Sequence, residues 1–291
     1  MKPVQAFAMM AVLVIPPANG ADTPASRSGT NGADAALQAA VNGDWRTADE
    51  KARDRYRHPV ETLTFWGLRP GMTVLEVQPG AGWWTDILAP YAKATGGRLY
   101  VTAADLANPK LSDGSRKARA EFEARYAAKP DTFGKLEYID WGAVSKSLPA
   151  DTFDLILTAR SVHGWMQQQP DVAQQTFAEF HQALKPGGIL AVEQHRANPV
   201  PSGAAENPKS GYVSEQHVIE LAQKAGFRLA AKSEINANPK DTKDHPFGVW
   251  TLPPSLYSTP YGSGQPDDPK FDHSKYLAIG ESDRMTLKFV K

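Results

Sequence analysis

Along most of this 291-residue chain the hydrophobic positions switch between two periods. Short, nearly unbroken apolar runs at residues 73–77, 98–103, 136–139, 153–159 and 188–193 predict strands. Between them, residues 83–94, 115–128, 171–184 and 214–225 repeat apolar side chains every third or fourth position and predict helices. Ser214 stands where an N-cap would satisfy free amides of the last of these helices. Strand–helix alternation of this kind needs crossover connections, which set strands parallel in one sheet with helices on both faces, an α/β fold. The trio Leu155-Ile156-Leu157 marks a central strand buried on both sides. After Gly226 the pattern changes. Residues 228–235 and 284–290 are strand candidates joined by a long Pro-, Gly- and Asp-rich connection, which predicts an antiparallel pair at one edge. Upstream, residues 35–66 read as helical, with a break at His58-Pro59, because the residue before proline is pushed out of the helical region.

Composition narrows the function. Apolar residues make up 41% of the chain and charged ones 22%, enough for a packed core. Lys plus Arg is 32 and Asp plus Glu is 32, so no basic excess points to nucleic acid or an anionic membrane. Without cysteine, disulfides, thiolate nucleophiles and cysteine-based zinc sites are excluded. Lys2, an apolar run at 6–15, Pro16-Pro17 and then Ala18-Asn19-Gly20 follow the order of a secretory signal peptide, cut after Gly20. The apolar run is shorter than the roughly 20 residues that span a bilayer, so no stable membrane span is expected after removal. The expected organisation is a signal peptide at 1–20, a flexible polar tether at 21–34, a helical lead-in at 35–70 and the main domain at 71–291, in a periplasmic or secreted protein.

Candidate chemistry gathers at Thr73-Val74-Leu75-Glu76-Val77-Gln78-Pro79-Gly80-Ala81-Gly82-Trp83-Trp84-Thr85. A buried strand ends in an acid, and Gly80 and Gly82 let the chain turn tightly and bring bare amides against a ligand. A dinucleotide site wants a third glycine at position 85, where Thr stands; with an acid on the strand, this favours S-adenosylmethionine over a nicotinamide cofactor. A plain strand–turn–helix corner would need glycine as well. Asp105 follows the second strand about 20 to 30 residues after the glycines, where an acid accepts hydrogen bonds from ribose; an ordinary loop Asp is the competing role. Asp140 closes the third strand, placed either to receive an adenine amino group or to cap a helix.

From about Leu63 to Lys291 the chain resembles the class I S-adenosylmethionine-dependent methyltransferases, and within them a bacterial group of predicted, often exported methyltransferases. The similar segments are Arg57-His58-Pro59-Val60-Glu61-Thr62-Leu63, Pro79 to Thr85, Glu193-Gln194-His195-Arg196-Ala197 and His245-Pro246-Phe247-Gly248-Val249-Trp250-Thr251-Leu252-Pro253-Pro254. The resemblance implies a Rossmann-like seven-stranded sheet, mostly parallel with an antiparallel last strand. It also implies that Glu76, Gly80, Gly82, Asp105 and Asp140 line the cofactor site.

Ligands of open α/β sheets bind at the carboxyl ends of the strands. His163 follows the fourth strand, His195 the fifth, and His245 lies in the late connection. Methyl transfer is a direct displacement, so the protein aligns the acceptor and, for a hydroxyl or ammonium, removes a proton. His163 is the first choice of base and His195 the second. Thr158-Ala159-Arg160-Ser161 stands where amino-methylating enzymes of bases carry Asn/Asp-Pro-Pro-Tyr, which argues against DNA, and with neither a basic groove nor an added recognition module in the sequence a small-molecule methyl acceptor is expected. Trp83, Trp84, Trp165 and Trp250 build either an aromatic wall or core, and Arg57, His58 and Glu61 either close over the site or form a salt-bridged helix surface. Two rivals remain. One is a metal-dependent hydrolase using His163, His195, His245 and Glu193 or Asp244, which no H-x-x-x-H spacing supports, so no metal is expected. The other is a non-catalytic binding protein on the same fold, since S-adenosylmethionine is made in the cytoplasm and an exported enzyme needs a supply.

Overall fold

The computed structural model describes residues 28–142, 144–145, 148–169, 171–199 and 206–291. The predicted signal peptide and the first part of the predicted tether lie outside these residues. Seven strands form one sheet: β1 (Thr73–Val77), β2 (Arg98–Ala104), β3 (Leu136–Trp141), β4 (Phe153–Ala159), β5 (Leu184–His195), β6 (Arg228–Ser233) and β7 (Arg284–Val290). Their spatial order is β3-β2-β1-β4-β5-β7-β6. Strands β3, β2, β1, β4 and β5 pair in parallel, and β7 runs antiparallel to both β5 and β6. The predicted antiparallel pair is present, but of its two strands β6 alone lies at an edge, because β7 is inserted between β5 and β6. Burial follows from this. Inserted β7 is nearly all buried, whereas β6 alternates exposed and half-buried positions.

Side chains of a strand alternate between faces, so the apolar run of β4 feeds two cores. Leu155 and Leu157 join Val74, Leu99, Val101 and Ala191 on one face. Ile156 joins Leu75, Val77, Leu190, Met285, Leu287 and Phe289 on the other. The first core is covered by α1 (Ser28–Asn42), α4 (Pro59–Trp66) and α5 (Thr85–Thr95). The second is covered by α8 (Val162–Met166), α9 (Val172–Ala183) and α10 (Glu215–Lys224). Ser214 is the N-cap of α10 and accepts from the His217 amide at 3.2 Å. The remaining helices are α2 (Ala48–Ala52), α3 (Asp54–Arg57), α6 (Asp113–Ala127), α7 (Pro130–Phe133) and α11 (Ser274–Ile279). No described helix is long and apolar enough to cross a membrane.

Two local departures have physical causes. Helix α1 starts at Ser28, inside the stretch whose polar composition predicts a tether, because Leu37, Ala40 and Val41 pack into the core and a helix once nucleated extends cheaply. Helix α5 contains Pro90, which has no N–H to give the Asp86 carbonyl one turn back. The Trp45 indole donates to that carbonyl instead, at 2.7 Å, and so ties the lead-in to the domain.

Candidate active site

Strand β1 is the point where the order of the parallel strands reverses, with β2 on one side and β4 on the other. The turn from β1 into α5 therefore opens at the switch point of the sheet. A cavity of about 320 Å³ lies on its β2 side. The turn contributes Gln78, Pro79 and Gly80, and β2 contributes Thr102 to Ala104. Tyr138 and Trp141 of β3, with Ser115, Ala118, Arg119, Phe122 and Glu123 of α6, close the remaining walls.

The two glycines do different work. Gly80 has φ +60° and nothing within 4 Å of the place a Cβ would take, so bare backbone faces the cavity. Gly82 has φ +88°, and a Cβ there would overlap the Tyr126 hydroxyl; it is glycine because α6 packs against the turn. Gln78 also turns left-handed, at φ +51°, which costs a non-glycine residue about 1 kcal/mol. Its amide donates to Thr102 Oγ1 at 2.8 Å, which anchors the turn to β2.

Glu76 is 2% exposed, under the turn and not in the cavity wall. Burial, helped by nearby Asp86, pushes its carboxyl up to about 8; a 2.6 Å hydrogen bond from Thr85 Oγ1 and the charge of Arg160 oppose this. Glu76 is thus largely protonated at neutral pH. Asp86 is fully buried and is raised to about 6 by burial, against the pull of Arg125 and a 2.9 Å hydrogen bond from Tyr126.

The other predicted acids part company. Asp105 is buried and its carboxylate is already engaged: Oδ1 accepts from the Ala107 amide at 3.1 Å, and Oδ2 from the amides of Val144 and Ser145 at 2.9 and 2.6 Å. It binds down the loop after β3. Asp140 remains on the strand that supplies Tyr138 and Trp141 to the cavity, half exposed, and accepts from Arg119 Nη1 at 2.6 Å. The same nitrogen donates to the Ala104 carbonyl, so Arg119 laces α6 to the ends of β2 and β3. The α6 residues were not foreseen, because an exposed, charged helix gives little apolar signal.

His163 and His195 stand together at the carboxyl ends of β4 and β5, with ring centroids 5.9 Å apart. Both lie outside the cavity wall, on the β4 side of the switch point. Burial, then the Arg160 charge, lowers His163 to about 4. His195 falls well below its ordinary range through burial and the charge of Arg284. Both imidazoles are therefore neutral at pH 7. The Gln194 amide nitrogen donates to the Gly211 carbonyl at 2.9 Å and reaches His163 Nδ1 at 3.2 Å. That geometry assigns the proton of His163 to Nε2 and makes it a donor. His195 Nδ1 is 2.6 Å from Ser282 Oγ, a hydroxyl able to donate to it or to accept from it.

Of the four tryptophans, Trp83, Trp84 and Trp165 are core, and Trp250 packs edge-on to His163 at 5.7 Å. Arg57 is wholly buried, His58 Nδ1 meets Asn236 Oδ1 at 3.2 Å, and Glu61 is exposed. His245 is bound to buried Asp241, which also accepts from the Tyr212 hydroxyl. Among the described residues no group of three or more His, Cys, Asp or Glu side chains is arranged to hold a metal ion.

A Rossmann-like sheet with an inserted antiparallel last strand and a glycine turn opening on a cavity at its switch point defines a class of protein, and comparison gives the family. A family model described as a methyltransferase domain matches residues 48–232. The chain belongs to that family, within the class I S-adenosylmethionine-dependent methyltransferases. A search of curated proteins gave no match. Among solved structures it is similar to the [4+2]-cyclase SpnF, at 18% identity over 91% of this chain and 95% of that one, TM-score 0.53. It is also similar to a SAM-dependent methyltransferase from Aquifex aeolicus, at 20% identity over 70% of this chain and 93% of that one, TM-score 0.47. A third is the Burkholderia thailandensis 1,6-didemethyltoxoflavin-N1-methyltransferase, at 14% over 93% and 92%, TM-score 0.45. A likeness at such identity establishes fold and not reaction.

Proposed function

We propose that the protein transfers a methyl group from S-adenosylmethionine to a small-molecule acceptor. The observation that carries this reading is the cavity at the glycine turn, where the open face of Gly80 meets an apolar slot between Phe122, Tyr138 and Trp141. Such a slot suits a purine, and Gln78 and Arg119, the latter tied to Asp140, offer polar atoms in its wall. When bound, the cofactor supplies an electrophilic methyl group on a sulfonium. The chain's own residues position the partners. Glu76 supports the turn from beneath as a neutral acid. Across β1, His195 accepts a proton from the acceptor, and the neighbouring His163 Nε2–H holds the acceptor in line. Balanced charge across the whole chain supports a small-molecule acceptor over a polyanion.

Isothermal titration of the full-length protein with S-adenosylmethionine and S-adenosylhomocysteine tests the reading. Micromolar or tighter binding, lost in Gly80→Trp, is the expected result. No binding by folded protein refutes it and returns weight to a non-catalytic role. Export is proposed on the leader sequence alone. Mass spectrometry of the protein recovered from the cell envelope should show residues 1–20 removed, and an intact mass would refute the proposal.

A further inference from the structure

Arg160 is the first residue past β4 and adopts φ +60°, a left-handed conformation unusual for a long side chain. Its amide is fixed by the Glu193 carbonyl at 2.8 Å. This conformation costs a non-glycine residue about 1 kcal/mol and persists because the surroundings hold it. The Arg160 Nε is buried without a hydrogen-bond partner.

Around it stand other buried guanidiniums. Arg57 is 0% exposed and Arg284 is 1% exposed, and their charges act on Arg160 and on one another. Glu281 is the acid they share. It takes hydrogen bonds from Arg53 Nε at 2.6 Å, from Arg57 Nε at 2.9 Å and from Arg284 Nη2. These arginines hold the Glu281 carboxyl well below its usual range despite its burial. Both of its oxygens are engaged. Glu193 Oε1 lies 3.1 Å from Arg284 Nη1 as an ion pair, without an aligned hydrogen bond. Both terminal nitrogens of Arg57, whose guanidinium lies 4.6 Å from the Trp83 ring centroid, Nε of Arg160 and Nε of Arg284 have no hydrogen-bond partner. Four guanidinium charges (Arg53, Arg57, Arg160, Arg284) thus face two carboxylates (Glu193, Glu281), and Glu76, the next acid in reach of Arg160, is held protonated. Leaving charged donors buried and unmatched is costly, and a guanidinium fork matches a planar oxyanion in particular. Arg160 is half-buried as a residue, whereas Arg57 and Arg284 are wholly buried, so it is the member of the three nearest solvent.

We propose that this cluster is an oxyanion site at the acceptor end of the cleft, so that the methyl acceptor carries a carboxylate or phosphate docked on Arg160 and its neighbours. The inference rests on the methyl-transfer reading and narrows it to anionic acceptors. It also gives the two histidines a trigger. The Arg160 charge depresses both imidazoles, so an anion that neutralises it strengthens the base when the acceptor is in place.

The test is calorimetric titration of the full-length protein with benzoate and with inorganic phosphate, each with and without saturating S-adenosylhomocysteine. Arg160→Asn removes the guanidinium with a residue that tolerates the left-handed backbone, and Arg160→Lys keeps the charge without the fork. One probe should bind the wild type at millimolar concentration or tighter, weaken about tenfold or more in Arg160→Asn and recover in part in Arg160→Lys, with S-adenosylhomocysteine affinity unchanged. Neither probe binding, or equal binding by Arg160→Asn, overturns the proposal. So does a loss of S-adenosylhomocysteine affinity in Arg160→Asn with 5′-methylthioadenosine unaffected, since the cluster would then hold the cofactor's own carboxylate. Failure of the wild type to bind S-adenosylhomocysteine, with the anion probes still bound, sinks the methyl-transfer reading and not the anion site.

Discussion

Glu76→Gln should make the protein more stable at pH 8 and leave it nearly unchanged at pH 4.5. An ordinary Glu loses its proton near 4.5, and Glu76 in the folded protein keeps it up to about 8. Below 4.5 both states are protonated and the group has no linked effect. Between the two values the unfolded chain releases the proton and the native one retains it, so stability falls as pH rises, by about 1.4 kcal/mol per pH unit. The whole window from 4.5 to about 8 corresponds to about 5 kcal/mol. Glutamine has the same shape, still accepts from Thr85 Oγ1 and carries no proton to lose. Urea denaturation of both proteins at pH 5, 6, 7 and 8 gives the difference directly. The gap should widen steadily with pH in favour of the variant. Parallel stability profiles would refute the reasoning, because they would mean that Glu76 is ionised in the native protein.

Other outcomes follow from the same geometry. With both imidazoles depressed, kcat/KM should stay level from pH 8 down to 6 and fall only well below the ordinary imidazole range; an acid limb at about 6.5 would show a base with an ordinary pKa. Gly82→Ala should cost about 3 kcal/mol of stability by thermal melting, since it combines overlap with Tyr126 and a left-handed backbone. Gly80→Ala should cost only about 1 kcal/mol yet weaken S-adenosylhomocysteine binding in titration; equal stability losses at the two glycines would contradict their separate roles. Trp45→Phe should destabilise by about 1–3 kcal/mol by orphaning the Asp86 carbonyl, and by less in a Pro90→Ala background, where residue 90 can donate; an additive double-mutant cycle would refute the exchange.

What the sequence discloses is what is local. Strands β1, β4 and β7 fall where their apolar runs place them, because burial on both faces leaves few polar positions to blur an edge. The insertion of β7 is invisible to such patterns, since strand order is a long-range property. The site divides in the same way. Gly80 is where the turn demands it. Asp105 satisfies amides 39 and 40 residues further on, which spacing from the glycine turn does not register. The bond between Arg57 and Glu281 spans 224 residues, so an arginine on a lead-in helix cannot be distinguished by sequence from a surface one. Gln78 looks unsuited to a left-handed turn, and the structure shows it fastened there by Thr102.

The placement of β7 also sets the order in which the molecule can be assembled. The register pairs His195 with Arg284, so β5 has no partner on that side until the last strand arrives. Until then β5 presents an open edge of unpaired amides, the kind of surface that recruits strands from other chains. Contacts so distant in sequence also close slowly. The same late event delivers Arg284 beside His195 and Glu193, so the electrostatic environment of the imidazoles is completed by the final strand, and a chain lacking it would have a cofactor cradle but no finished acceptor end.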